Sequence, residues 1–193
     1  MSCDPPYVTI GALTTRNRPR EGIKDSQQNI TETGDFVVNL ISHWMIEAAN
    51  ITCGDYKHNE SEFAMANLTP VPSKKVKPPR VGESAVHLEC KLRHTYPISN
   101  TEGKHHAFIL IGEIVMIHAN EGVLEKDNKG RDIVSLEKLA PVSRLGDLEY
   151  GLTVATIEME MPMHEFAGNV AARNSREASR GHPGDHVNGD YRE

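Results

Sequence analysis

Two long runs with the pattern of β-strands, joined by a stretch of turn residues, limit what this chain can fold into. In the first run, 86–98, Val86, Leu88, Cys90 and Leu92 alternate with His87, Glu89, Lys91 and Arg93. A period of two is what a strand with one buried face requires. The pattern therefore puts the apolar set on a core and the charged set toward water. Cys90 falls on the inward face and reads as a core residue, not a nucleophile, because an unpaired cysteine packs as a small hydrophobe. Residues 99–104, SNTEGK, are turn material. The second run, 105–118, contains AFILIGEIVMIH, apolar on both faces like a strand inside a sheet. Gly112 within it marks a bulge or a close backbone approach. Long antiparallel strands joined in a hairpin are typical of β-barrels. The expected fold class is all-β, a β-barrel with a few short helices.

Residues 22–41, GIKDSQQNITETGDFVVNLI, read as a loop, a short helix and a strand. Asp25 is placed to cap the helix, and Gln28 three residues on completes a capping box. Gly34 falls where the helix stops, since glycine takes the left-handed conformation without penalty. Residues 35–41 are apolar and β-branched enough for a buried strand. A helix opened by Lys24 is also an anion site. Its first N–H groups lack partners, its dipole is positive there, and Lys24 and Ser26 add a charge and a hydroxyl. Local sequence leaves both readings open, a capped surface helix and a phosphate cradle. The preceding loop, 14–21, carries Arg16, Arg18 and Arg20, which either stay solvated or steer a phosphate-bearing ligand.

Elsewhere, Asp4-Pro5-Pro6 reads as a turn feeding a strand over 7–13. Ser42 is the expected N-cap of a helix over 43–52, with Met45 and Ile46 on its inner side. Trp44, the only tryptophan, is assigned to packing or to cover by a partner chain. A short helix over 60–67 is stopped by Thr69-Pro70-Val71-Pro72. Segment 73–80, with Lys74, Lys75, Lys77 and Arg80, is expected to be an extended, solvated surface stretch. Residues 119–139 read as mostly loop, with turn signals at Asn120-Glu121-Gly122 and Asp127-Asn128-Lys129-Gly130. Residues 153–159 read as a final strand. After Met163 the composition turns to Gly, Asn, Arg, Ser, His and Asp, so a domain over 1–163 and a disordered tail over 164–193 are expected.

Several function classes lack support. A net charge of −6 argues against a nucleic-acid surface. No apolar run reaches the ~18 residues of a membrane helix. The start, MSCDPPYVT, has no signal-peptide pattern. Cys3, Cys53 and Cys90 form an odd, scattered set without C-x-x-C, which suits a reducing, cytoplasmic setting. Without a secretory route the N-x-S/T triplets at Asn29, Asn50, Asn59 and Asn67 are chance matches. His105-His106 and the pair His182 and His186 are the nearest histidine sets, and neither forms a helical ligand motif with a carboxylate, so no metal site is expected. The chain has no G-x-S-x-G, no P-loop and no G-x-G-x-x-G.

The pieces above fall into an order. KDSQQNITETGDFVVNL, 24–40, resembles the K-D-T-x-x-N-I-x-x-T-G-x-F-V-V-N pattern of the flavin reductase-like family, the FMN-binding split barrels. Asp4-Pro5-Pro6, Leu68-Thr69-Pro70-Val71-Pro72-Ser73, Pro79-Arg80-Val81 with Glu83-Ser84, and Leu88-Glu89-Cys90 follow the family's order. So do Gly112-Glu113-Ile114-Val115 with His118, and Arg144-Leu145-Gly146 with Tyr150. The resemblance covers residues 2–155. It implies a split β-barrel, typically a homodimer with FMN near the subunit interface, and an oxidoreductase that passes hydride from NAD(P)H to flavin. Its partners would be a small-molecule flavin and a nicotinamide. On that resemblance Lys24, Asp25, Ser26 and Asn29 would hold the FMN phosphate and ribityl chain. His118 is the candidate catalytic residue, and Arg144 and Tyr150 would shape the ring or nicotinamide side.

Two departures stand out. Where the family often has R-L-G-G, this chain has Arg144-Leu145-Gly146-Asp147, and Asp147 takes a glycine's conformations less cheaply. The family also places two strands and an A-P-x-S-x-F-N segment, which lines the flavin ring, before the strand at 7–13. The chain therefore reads as N-terminally incomplete. That motivates an alternative expectation, a non-catalytic or degenerate FMN-binding or interaction protein.

Overall fold

The computed structural model describes residues 4–13, 23–54, 56–57, 60–103, 105–157 and 159. The arginine loop over 14–21 and the tail over 164–193 lie outside the described residues. In chain order the elements are β1 (Tyr7–Leu13), α1 (Asp25–Thr33), β2 (Asp35–Asn39), α2 (Ile46–Ile51) and α3 (Glu62–Met65). The short strands β3 (Pro70–Val71) and β4 (Arg80–Val81) precede the long β5 (Val86–Ser99) and β6 (His105–Ala119). After them come β7 (Leu124–Lys126), β8 (Asp132–Val134), α4 (Leu136–Leu139), β9 (Val142–Gly146) and β10 (Glu149–Leu152). The chain divides into two compact units, 1–155 and 156–193, and the elements all belong to the first.

The main sheet is antiparallel throughout and runs β1-β6-β5-β2. Its middle is the hairpin that the alternation announces, with Val86 opposite Ala119 and Ser99 opposite His105. Three small hairpins, β3-β4, β7-β8 and β9-β10, surround it. One core cluster joins Ile30 of α1, Phe36 of β2, Cys90 of β5, and Leu110 and Ile114 of β6. Cys90 is fully buried, and burial pushes its thiol up to about 11, so it stays a neutral core group. A second cluster gathers Ala85, Val86, Val123 and Leu139.

Gly112 of β6 is where the Phe36 side chain, from the edge strand β2, reaches over β5. A Cβ built there would lie 2.3 Å from Phe36 Cζ and 2.5 Å from its Cε1. The close approach expected at this glycine is thus the tip of an aromatic ring. Bulges at Glu89/Cys90 and Leu92/His94 of β5 flank the same region and add local twist.

The helix before β2 starts one residue earlier than the capping pattern suggests. Lys24, with φ −72° and ψ 145°, is the N-cap, and no side chain caps it. Asp25 lies inside the first turn, where its charge complements the dipole. Gln28 donates to Glu32 instead of reaching back, so no capping box forms. Gly34 ends the helix at φ 70° and donates to the Ile30 carbonyl, as a left-handed C-cap does. Strand β2 stops at Asn39, two residues short of the expected end.

Two further expectations are corrected. Residues 119–139 are not mostly loop. The strands β7 and β8 pair around a turn held by Asp127, whose carboxylate accepts from the Lys129 and Arg131 backbones and from Arg131 Nε. Three-residue strands with exposed side chains carry no readable period. The last strand is β10, which ends at Leu152, and 153–157 is not a strand. Its apolar residues Val154 and Ile157 are 84% and 88% exposed, so among the described residues the face that the pattern offered is not buried. Trp44 is half exposed, with Nε1 donating to the Glu83 carbonyl. Among the described residues no helix is long and apolar enough to cross a membrane.

Replacing Gly112 with alanine should destabilise the protein by about 1–3 kcal/mol, the usual cost of overpacking. In urea titrations, adding Phe36→Leu should recover part of that loss, because the two sites share one contact. Strict additivity of the two changes would contradict the contact of Phe36 with Gly112.

Candidate functional site

The outward face of β5 is not solvated at its start. Glu89, which the alternation directs to water, is 0% exposed, and His87 is 7% exposed. The cover is the segment between β3 and β4. The Lys74 N–H donates to Glu89 Oε1 at 2.9 Å and the Lys75 N–H to Oε2 at 2.6 Å. On the other side His118 Nε2 meets Oε1 at 2.6 Å. Burial alone would raise the Glu89 carboxyl. The two N–H groups and the His118 ring reverse that and hold it below its ordinary value.

Asp35 repeats the device one strand over. It accepts from the Lys77 N–H at 3.1 Å and from Lys91 Nζ at 2.9 Å. Its carboxyl is also held low, against the upward push of burial. Segment 73–80 is therefore more than a solvated charge run. Its lysine side chains are exposed, while its backbone satisfies two buried carboxylates.

His87 and His118 face each other across β5 and β6, with ring centroids 6.1 Å apart in an edge-on arrangement. His87 Nδ1 bonds Asn39 Oδ1 at 2.9 Å, an oxygen that also accepts from the Val81 N–H. Burial, then the charge of Arg80, push the His87 ring down to about 4. His87 is thus neutral near pH 7.

Two clefts flank this core. One, about 430 Å³, is bounded by Arg80, Ser84, His87, Ile117, His118 and Asn120. The other, about 460 Å³, runs along α1 and β2, with Ser26, Asn29, Phe36, Phe63 and Leu68 in its walls. They share a partition. Arg80 borders the first and Val81 the second, and Asn39 of the second cleft holds His87 of the first.

The sequence candidates divide accordingly. Ser26 and Asn29 share the α1 cleft, with Lys24 and Asp25 at the helix start beside them. His118 belongs to the other cleft. Arg144 and Tyr150 bound neither of the two. The Arg144 guanidinium stacks 4.7 Å from the Tyr150 ring centroid and also donates to the Asp147 carbonyl. The Tyr150 hydroxyl donates to Asn50 Oδ1 at 2.7 Å, tying the β9–β10 hairpin to the end of α2. The turn of that hairpin uses two residues with positive φ, Gly146 and Asp147. Asp147 takes φ 43°, which an aspartate tolerates better than most residues. Glu89, His87 and Asn39 were not singled out from sequence. The one available signal was that His87 and Glu89, two apart, share a strand face. Among the described residues no three His, Cys, Asp or Glu side chains converge as metal ligands.

Residues 1–135 match the flavin reductase like domain. The chain belongs to the flavin reductase-like family. A protein of Halalkalibacterium halodurans is 32% identical to it over 162 residues, covering 84% of this chain and 74% of that one. Among solved structures it is similar to nitrilotriacetate monooxygenase component B of Bacillus cereus. There the TM-score is 0.72 at 31% identity, over 82% of this chain and 74% of the other. The 2-nitrobenzoate 2-nitroreductase NbaA of Pseudomonas fluorescens gives 0.68 at 26% identity, over 85% and 73%. The fold of this flavin reductase-like protein is the split β-barrel, mostly strands with a few short helices. Membership makes it a flavin-related oxidoreductase.

The buried acids and His87 set a pH dependence of one sign. Glu89 and Asp35 are held low when folded, so their stabilisation is present above the unfolded carboxylate range and lost as pH falls through the folded values. His87 has a folded value of about 4 against 6.5 unfolded. Between those values the unfolded chain takes up a proton that the folded chain refuses, so stability falls with pH there too. Urea midpoints should be level near neutrality and decline steadily from pH 6.5 toward 4. His87→Gln should flatten the upper part of that decline. A midpoint constant from pH 7 to 5 would refute the assignment.

Proposed function

We propose that the protein reduces flavin with NAD(P)H, using FMN bound at the start of α1. The observation that carries this reading is the junction of an uncapped helix start with the cleft holding Ser26 and Asn29. The donor set suits a phosphate. Lys24 supplies an ammonium, Ser26 a hydroxyl, Asn29 an amide, and the helix its first N–H groups. The acceptor Asp25 suits the ribityl hydroxyls. Gln27, in the same turn, keeps a buried amide oxygen without a partner among the described residues, which a ligand hydroxyl would satisfy. Ile30, Phe36, Phe63 and Leu68 give the same cleft apolar walls, as an aromatic ring needs.

When bound, the flavin supplies the two-electron chemistry, and the protein supplies binding and orientation. In this reading His118 and the Arg80 guanidinium border the nicotinamide side. The family's homodimer is the working assembly. Leu145, Leu148 and Leu152 of the β9–β10 hairpin are 66%, 85% and 50% exposed, an apolar strip that a second copy would cover. Arg144 and Tyr150 stand on that hairpin and would shape the ring side from there. A reducing cytoplasmic setting suits the unpaired thiols Cys53 and Cys90.

Titration of FMN by fluorescence quenching tests the reading. Lys24→Ala removes a charge-assisted hydrogen bond and should weaken binding about 10–100-fold. Ser26→Ala removes a neutral one and should cost about 2–10-fold. Affinities unchanged in both variants would overturn the assignment of the phosphate to α1.

A further inference from the structure

We propose that Glu89 is a positioning residue for His118, fixing its ring as the Nε2–H tautomer so that Nδ1 is the only nitrogen through which it exchanges a proton in the cleft. The catalytic half of this inference rests on the flavin-reductase reading above. The positioning half does not.

The hydrogen-bond inventory at Glu89 decides the tautomer. An ionised carboxylate only accepts. Three groups approach its two oxygens, and two of them, the Lys74 and Lys75 backbone N–H groups, are obligatory donors. With Glu89 fully buried, no water site remains to lend it a proton, and its carboxyl is held low. His118 Nε2, 2.6 Å from Oε1, must then be the third donor. Its proton is committed to Glu89. Nδ1 has no hydrogen-bond partner among the described residues, and His118 is one of the walls of the 430 Å³ cleft.

The surroundings confine proton exchange to this ring. The charged and titratable groups facing it are Glu89 and His87 from β5 and Arg80 from β4, while the Lys74 and Lys75 side chains are exposed. His87, the neighbour of the same chemistry, is bonded to an amide oxygen and stays neutral. Full reduction of a flavin by a reduced nicotinamide consumes one hydride and one proton, and the nicotinamide leaves oxidised. His118 Nδ1 takes a proton from solvent and passes it to the site, so the ring returns to its starting Nε2–H state.

The test begins with the tautomer. Long-range ¹H–¹⁵N correlation spectra of the full chain, with His118→Gln to assign the ring by its absence, read the two nitrogens directly. Wherever the wild-type ring is neutral, it is expected as the Nε2–H form alone. In Glu89→Gln one amide oxygen must serve three donors, so the Nδ1–H form should appear alongside it. With FMN and NADH, kcat should fall about 100-fold in His118→Gln, the usual worth of a general acid or base. It should fall about tenfold in Glu89→Gln, with KM for NADH little changed, as loss of an outer partner costs. A wild-type Nδ1–H or mixed tautomer overturns the inference whatever the turnover, and that measurement needs no variant of the buried acid. A Glu89→Gln protein that folds with tautomer and kcat unchanged overturns it as well. A single Nε2–H tautomer in a protein that neither binds FMN nor oxidises NADH upholds the positioning and sinks the flavin-reductase reading instead.

Discussion

A carboxylate with no exposed surface, on a strand whose sequence directs it outward, is the constraint around which the rest of this structure is arranged. Taking Glu89 out of water costs several kcal/mol unless its charge is fully matched. Two backbone N–H groups and an imidazole match it, each such bond to a charged group contributing about 1.5–3 kcal/mol. Matching imposes geometry. The chain between β3 and β4 must fold down until Lys74 and Lys75 point their amides at the acid. That in turn delivers β4, whose Val81 N–H reaches Asn39 and whose Arg80 borders the cleft of His118. The loop reads as disposable surface when only its side chains are considered. Its backbone is a wall of the candidate site.

The second constraint is steric. Phe36 reaches over β5 onto Gly112, which fixes how the edge strand β2 lies beside the hairpin. Because α1 runs into β2 through the single left-handed residue Gly34, the start of the helix inherits that placement. Asp35, next to Phe36, is then clamped by Lys77 from the same covering loop and by Lys91 from β5. The helix start, the ring and the loop thus come from three parts of the sequence, and buried carboxylates hold them in register. The α1 cleft with Ser26 and Asn29 is what remains between them.

What was legible in the sequence follows from this. The hairpin, the glycine stop at Gly34, the close approach at Gly112 and the core role of Cys90 depend on local period or on a residue's own conformational limits. Those signals survive without tertiary context. The position of Glu89 does not. Alternation reports which residues share a face, and correctly pairs His87 with Glu89, but it is silent on whether another segment covers that face. The cover here is a loop rich in lysine and proline, which carries no hydrophobic period at all. The hairpin of β7 and β8 was missed for the related reason that three exposed residues make no pattern. The cap of α1 slipped by one residue because Asp25 suits both the cap and the first turn, and backbone geometry chose the turn. The ordered family motif went further than local pattern, since it named the helix start and His118 together, and the structure places them in two different clefts.

The two histidines carry the argument to its last step. They stand opposite each other on adjacent strands and differ in little but their partners. His87 spends Nδ1 on the Asn39 amide, next to an arginine, inside the partition between the two clefts. Burial and the arginine oppose a second proton. His118 spends Nε2 on a carboxylate that has no alternative donor left to choose. One ring is thereby made a fixed structural wedge, and on the proposal above the other keeps one nitrogen for chemistry. Environments that set two like groups apart are how a site assigns roles without changing residue type. Here burial and an arginine set one ring, and a buried acid holds the other, an acid whose placement also folds down the loop between β3 and β4.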